Sequence, residues 1–283
     1  MLAHMRWTDG PLVGFDTETT GVDVAHDRIV TAALVVRHGL QGLPQERTWI
    51  IDPGVEIPEA ASAIHGVTTE HARRLGRPPA EALEEIAAAL AAAIADGAAV
   101  VAFNASYDLT ILEHELVRHH LPTLHERLGR RPDAVLDPLV LDRALDRFRP
   151  GKRKLVDLAA LYGVSTGELH AADVDVTATL DVLRALVGRF PELAEVPLPQ
   201  MHARQIRAHR GWALGFNRWL REQGFDHPGA ETTWPYHDPF APPSEEIEAI
   251  VAAAREAALA RSIGLTAPAP RRAEPPMQEP RAS

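Results

Sequence analysis

Two apolar runs near the N-terminus restrict what this chain can fold into. Leu12 to Thr17 is apolar and ends in polar residues, and Arg28 to Val36 is rich in Ile and Val, so both read as strands. Gly21 and the polar stretch from Asp23 to Asp27 supply the turn between them. A third strand is expected at Arg47 to Ile51, stopped by Asp52-Pro53-Gly54, which completes a meander at the start of a mixed sheet. Helical periods follow. Pro78-Pro79 precedes an Ala-rich stretch in which Leu83, Ile86, Leu90 and Ile94 share one helix face, ended by Asp96-Gly97. Ala98 to Phe103 then reads as a buried strand, and Ser106 to His120 as a helix striped by Leu109, Leu112 and Leu116. Val135-Leu136 reads as a short strand before a helix that starts at Pro138. Strands alternating with helices after a meander predict an α/β sandwich, a mixed central sheet flanked by helices, and not a helical bundle.

Further helices are expected at Lys154 to Leu161 and Asp173 to Leu186, followed by a Pro-bearing linker from Phe190 to Pro199. Met201 to Glu222 carries Ile206, Ala213, Phe216 and Leu220 at helical spacing, so one face should pack on the preceding domain or on a partner. His227 to Pro243 is rich in turn signals, and Glu245 to Ala260 reads as an Ala-rich helix. From Thr266 the chain is Pro-rich without an apolar period, the composition of a disordered tail. The expected organisation is a main domain over 8–190, a linker and helical extension over 191–263, and a tail over 264–283.

With 46% hydrophobic residues the chain can build its core without staples, and with no Cys it has no disulfides, thiolate metal sites or cysteine nucleophile. Met1 to Asp9 holds no long apolar core, so neither a secretory signal nor a membrane span is expected, and the default location is cytoplasmic. Asp and Glu number 39 against 29 Lys and Arg, a net charge of −10 that argues against coating a polyanion by bulk attraction. A local basic patch is still available around Pro150-Gly151, from Arg147, Arg149, Lys152, Arg153 and Lys154. By itself it reads more readily as an exposed charged loop.

The acids carry more information. On a strand, alternation puts Asp16 and Glu18 on one face and Thr17 on the other, so two carboxylates can meet one or two divalent cations. Alone, Asp-x-Glu is also a solvated strand end. Asp108, in Phe103-Asn104-Ala105-Ser106-Tyr107-Asp108, falls at a helix start, where an acid also favours the helix dipole. His170 and Asp175, in His170-Ala171-Ala172-Asp173-Val174-Asp175, read singly as a loop histidine and a helix-starting acid.

In order, these motifs resemble the three exonuclease motifs of the DEDDh family: Asp16-x-Glu18, Asn104-x-x-x-Asp108 and His170-x-Ala172-x-x-Asp175. Within that family the chain resembles the DNA polymerase III epsilon proofreading subunit and its stand-alone bacterial relatives. Ile64-His65-Gly66-Val67-Thr68, Lys154-Leu155-x-x-Leu158 and Tyr162-Gly163-Val164 add to a likeness that spans Thr8 to Arg189. The resemblance implies a ribonuclease-H-like fold in which Asp16, Glu18, Asp108 and Asp175 bind two Mg2+ or Mn2+ ions and His170 is the general base. It implies terminal hydrolysis of a nucleic acid with a free 3′ end, releasing nucleoside 5′-monophosphates. The main chain around Thr17 and Glu18 would contact the terminal nucleotide and its 3′ hydroxyl, with His65 and Asn104 shaping the pocket; His65 has an equal reading as a turn histidine and Asn104 as a helix cap. Arg149, Lys152 and Lys154 would meet upstream phosphates. Spacing from His170 favours Asp175 over Asp173 as the ligand. The motifs leave DNA and RNA open, with DNA favoured by the likeness to proofreading proteins. Replication or repair proteins are candidate partners, and a non-catalytic binding module is the remaining alternative.

Overall fold

The first two runs pair antiparallel in the computed structural model, which describes residues 6–167 and 171–241 together with 245, 248–250 and 252. Strand β1 (Pro11–Thr19) sets Asp16 opposite Ala33 of β2 (Ile29–His38), and β2 pairs on its other edge with β3 (Gln45–Ile50). Three helices follow: α1 (Glu59–His65), α2 (Thr69–Leu75) and α3 (Pro79–Ala95). Only α3 was legible in the sequence. The first two span seven residues and bury one alanine each, so they carry no apolar period.

β4 (Ala99–Val101) leads into α4 (Ala105–Arg118) and α5 (Leu124–Leu128), and β5 (Val135–Leu136) into α6 (Pro138–Leu145). α7 (Leu155–Tyr162) and α8 (Ala172–Arg189) precede a 3-10 turn at Pro191–Glu195 and the long α9 (Leu198–Gln223). The sheet order is β3-β2-β1-β4-β5, antiparallel through the meander and parallel where β4 and β5 join. Ile86, Leu90, Leu109 and Leu112 of α3 and α4 cover one face, and Leu158, Val176, Leu180 and Leu183 of α7 and α8 cover the other. This is the mixed α/β sandwich that the alternation of elements predicts. Among the described residues no helix is long and apolar enough to cross a membrane.

The chain beyond Phe190 completes this body. Leu193 and Val196 are buried, and Trp7 Nε1 donates to Leu193 O at 3.1 Å. α9 lies along the outer edge of the two-residue strand β5, where its side chains take the place of a sixth strand. Val135 N–H donates to His202 Nδ1 (3.3 Å), Gln205 Nε2 donates to Val135 O (2.9 Å), and Asp137 N–H donates to Gln205 Oε1 (2.8 Å). An exposed sheet edge invites pairing with other chains, and these bonds close it. Burial pushes His202 down to about 4, which keeps Nδ1 an acceptor at neutral pH. After α9 the chain returns to bury Trp234 and Tyr236 in the main core. His170 and the tail from Thr266 lie outside the described residues; of the helix expected over Glu245 to Ala260, five positions are described, all helical.

Candidate active site

Alternation along β1 sends Val13, Phe15 and Thr17 toward α3 and α4, and Leu12, Gly14, Asp16 and Glu18 toward α8. How close α8 comes is set by Gly14. A Cβ there would stand 2.4 Å from Val176 Cγ1 and 3.1 Å from Leu180 Cδ1, so only glycine lets the helix lie on the strand. Val176 follows Asp175, and this approach delivers that carboxylate to the pair on β1. One ligand oxygen each from Asp16, Glu18 and Asp175 lie within 4.8 Å of one another. Asp173, two positions earlier, instead lines a cavity with Glu46 and Asp181. Gly14→Val is expected to destabilise the fold by about 1–3 kcal/mol through overpacking. It should also lower kcat by about 10²-fold, the effect of a roughly 1 Å misplacement of Asp175. Wild-type turnover by folded Gly14→Val protein would refute this account of the close approach.

Asp108 arrives from the other face of the sheet. The parallel pairing of β1 with β4 ends at Gly14 and Val101, so the N–H of Thr17 has no strand partner. Asp108 Oδ1 accepts it at 3.0 Å and also accepts the Thr17 hydroxyl at 2.7 Å. Thr17 is therefore buried and committed to orienting Asp108. The turn that brings α4 there passes through Asn104 at φ 60 and ψ 45, a left-handed conformation that Asn tolerates better than most residues. The Asn104 side chain is exposed and makes no capping bond. Capping falls to Asp137, a buried acid that accepts from Asn104 N (3.1 Å), Ala105 N (3.0 Å), Leu139 N (2.9 Å) and Trp234 Nε1 (3.4 Å).

Past Glu18, Tyr107 Oη sits 2.6 Å from both Thr19 Oγ1 and the Gly21 carbonyl and pins the strand end to α4. At Gly21 a Cβ would meet the Asp27 carboxylate at 2.5 Å, so the glycine serves close approach. His65 accepts Val67 N–H on Nδ1 at 3.2 Å, while its buried Nε2 faces the Thr19 backbone without a hydrogen bond of normal geometry. Burial lowers its pKa, so the ring is neutral near pH 7 with its proton on Nε2. In the basic loop, Arg149 and Arg153 both turn inward onto fully buried Asp142, the first at 2.9 Å, and Tyr162 adds a bond at 2.7 Å. Arg147, Lys152 and Lys154 remain exposed. Tyr107, Asp137 and Asp142 had no functional reading in the sequence. Tyr107 adjoins a candidate ligand, whereas nothing local marks the two aspartates as functional.

Like charges and burial make the acids reluctant to ionise. Glu18 is raised to about 7 by burial and then by Asp175 and Asp108, and Asp16 is raised by burial and then by Asp108, Glu18 and Asp175. Asp108 also rises to about 7 through burial, opposed by its bonds from Thr17. For Glu18 the folded protein binds a proton between its ordinary 4.5 and about 7, so that contribution to stability is present below 4.5 and lost as pH rises through about 7. A divalent cation would replace the lost protons. The rise in melting temperature produced by Mg2+ should therefore be larger at about pH 8 than at about pH 5.5. Equal rises at the two values would contradict the assignment.

A mixed sheet of this order, with carboxylates gathered at the end of its central strand, defines a ribonuclease-H-like exonuclease fold. The chain belongs to the RNase_T exonuclease family, whose model matches residues 13–183. It is 29% identical over 177 residues to the PolC-type DNA polymerase III of Streptococcus thermophilus, covering 62% of this chain and 11% of that protein. Against the Staphylococcus aureus PolC-type polymerase it is 29% identical over 187 residues, covering 65% and 12%. The chain thus spans about a ninth of these curated relatives. Exonuclease I from Methylocaldum szegediense has the same fold at TM-score 0.57 and 24% identity, covering 74% of this chain and 46% of that one. E. coli exonuclease I in complex with a dT13 oligonucleotide aligns at TM-score 0.56 and 18% identity, covering 66% and 43%.

Proposed function

We propose that the chain removes nucleotides from the 3′ end of DNA, preferring single-stranded or frayed ends and releasing nucleoside 5′-monophosphates. The convergence of Asp16, Glu18 and Asp175 within 4.8 Å carries this reading. Their donor set fits the implied cations, because carboxylate oxygens without thiolate or imidazole suit Mg2+ or Mn2+. A bound pair of such ions supplies Lewis-acid stabilisation of the attacking and leaving oxygens.

The rest is done by side chains of this protein. Asp16, Glu18 and Asp175 hold the cations, and Asp108, fixed through Oδ1 by Thr17, completes the acidic set. His170 accepts the proton of the attacking water on its imidazole, an assignment that rests on the motif shared with Asp175. Asn104 offers its exposed amide to the terminal nucleotide, and His65, whose Nε2 is buried against the Thr19 backbone, shapes the pocket beside it. Lys152 and Lys154 meet upstream phosphates, while Arg149 stiffens their loop through Asp142. Preference for DNA draws on the likeness to DNA polymerase III and to an exonuclease I crystallised with dT13.

A time course on 3′- and 5′-labelled DNA and RNA, with Mg2+, Mn2+ or chelator, tests the proposal. Stepwise loss from the 3′ end of DNA that requires a divalent ion is the expected result. Internal cuts, digestion from the 5′ end, or faster hydrolysis of matched RNA would overturn it.

A further inference from the structure

The chain carries a net charge of −10, yet α9 holds five arginines against the single Glu222. The helix is two-sided. His202, Gln205, Ile206, His209, Ala213 and Leu220 are buried against the sheet edge and the returning chain. On the other side Arg204, Gly211, Leu214, Arg218 and Arg221 recur at spacings of three, four and seven, so they form one stripe, with Arg210 beside it. Arg204, Arg210, Arg218 and Arg221 are exposed, and Leu214 is 52% exposed. At Gly211 and Gly215 an added Cβ would meet nothing within 4 Å, so this surface is open along its middle. From Arg204 to Arg221 the stripe extends about 25 Å, at the roughly 1.5 Å rise of a helical residue.

α6 packs on this helix and leads into the basic loop. The Arg143 guanidinium of α6 lies 3.7 Å from the centroid of Trp212, which opens a ladder of stacked rings with Phe216 (5.6 Å) and Trp219 (6.0 Å further) along the flank of α9. A few residues past Arg143, Arg147 stands over Phe148, a residue that is 53% exposed, and Lys152 and Lys154 follow. Exposed cations interleaved with rings suit a flexible polyanion whose units carry flat faces, and the other side of α9 is already filled by the protein itself.

We propose that α9 and the loop after α6 form a track for the single-stranded nucleic acid lying upstream of the 3′ end being hydrolysed. This rests on the nuclease reading of the carboxylate site. The phosphates run along Arg204, Arg210, Arg218 and Arg221, and Phe148 stacks on a base between the track and the site. The track holds long strands through successive cycles and adds nothing to the hydrolysis of a strand too short to reach it.

The test combines Arg204→Gln, Arg210→Gln, Arg218→Gln and Arg221→Gln in the full chain, four exposed changes that leave the packed face of α9 intact. KM and kcat are measured on single strands of about 4 and about 30 nucleotides with the same 3′ end, lengths below and above the reach of the track. The expected result is an unchanged kcat and an unchanged KM on the short strand, with KM on the long strand raised at least about 10-fold. The dependence of log affinity on log salt for the long strand, measured in chelator, should also fall by about 3, given a slope of roughly 0.7 for each phosphate that an arginine neutralises. Equal KM for wild type and variant on both strands, or equal losses on both, would overturn the track while leaving the nuclease standing. Retained affinity and salt slope alongside lost binding to a polyglutamate peptide would assign the stripe to an acidic protein partner and would also overturn it. Absence of 3′ hydrolysis by the wild type would sink the nuclease reading, and the chelator binding experiment would still decide whether α9 holds the strand.

Discussion

Asp16→Ala is expected to lower turnover at least about 10³-fold while raising the melting temperature of the cation-free protein. The two effects share one cause. Asp16, Glu18 and Asp175 are held within 4.8 Å of one another, and burial together with mutual repulsion raises the pKa of Asp16. Removing Asp16 relieves that repulsion, and relief of a strained functional site is worth about 0.5–2 kcal/mol. The same change removes a carboxylate from the site where, on the proposed reading, bound cations would stabilise charge on the reacting oxygens, an effect of several kcal/mol, or roughly a thousandfold at about 1.36 kcal/mol per decade. Differential scanning calorimetry in chelator and in Mg2+, beside single-turnover hydrolysis, separates the two effects. A variant less stable than wild type in chelator would show that Asp16 has a structural role. Undiminished turnover would remove it from the chemistry.

The second large effect belongs to a residue with no reacting partner. Asp137→Ala leaves four N–H donors without an acceptor, three of them buried: that of Asn104, and the buried ones of Ala105, Leu139 and the indole of Trp234. Loss of a buried charged acceptor that serves several donors should cost about 3–5 kcal/mol, a fall of about 10 °C in melting temperature for a domain of this size. Burial raises the Asp137 pKa, and those donors oppose the rise, so the anion depends on them as they depend on it. Since Asn104 and Ala105 open the helix that carries Asp108, the loss should reach the active site as lower kcat even at temperatures where the variant is folded. A fall of less than about 2 °C would show that the four donors find other acceptors.

Asp137 also marks the limit of local reading. The helices α3, α4 and α8 were legible because their apolar residues recur at the helical period, and β1 and β2 because runs of Ile, Val and Leu admit few other structures. Asp16 and Glu18 could be paired from the period of a strand alone. Asp137 shows locally only as the cap of the helix that follows it, because its other three partners lie 32, 33 and 97 residues away. The loop cations show the same limit. Arg147, Arg149, Lys152, Arg153 and Lys154 look equivalent in sequence, but Asp142 draws Arg149 and Arg153 inward and leaves the other three exposed.

By itself the sequence determined the layered α/β architecture, and it marked the candidate cation-binding acids and the order in which they occur, since residue type and spacing act over one helix turn or one strand. Tertiary structure alone decided that Gly14 lets α8 bring Asp175 onto β1, that the early end of β4 frees Thr17 to hold Asp108, and that α9 closes the sheet edge while turning its arginines outward. Each of these joins segments far apart in the chain, and which atoms meet there is set by the packing of whole elements, which no local pattern of residues encodes.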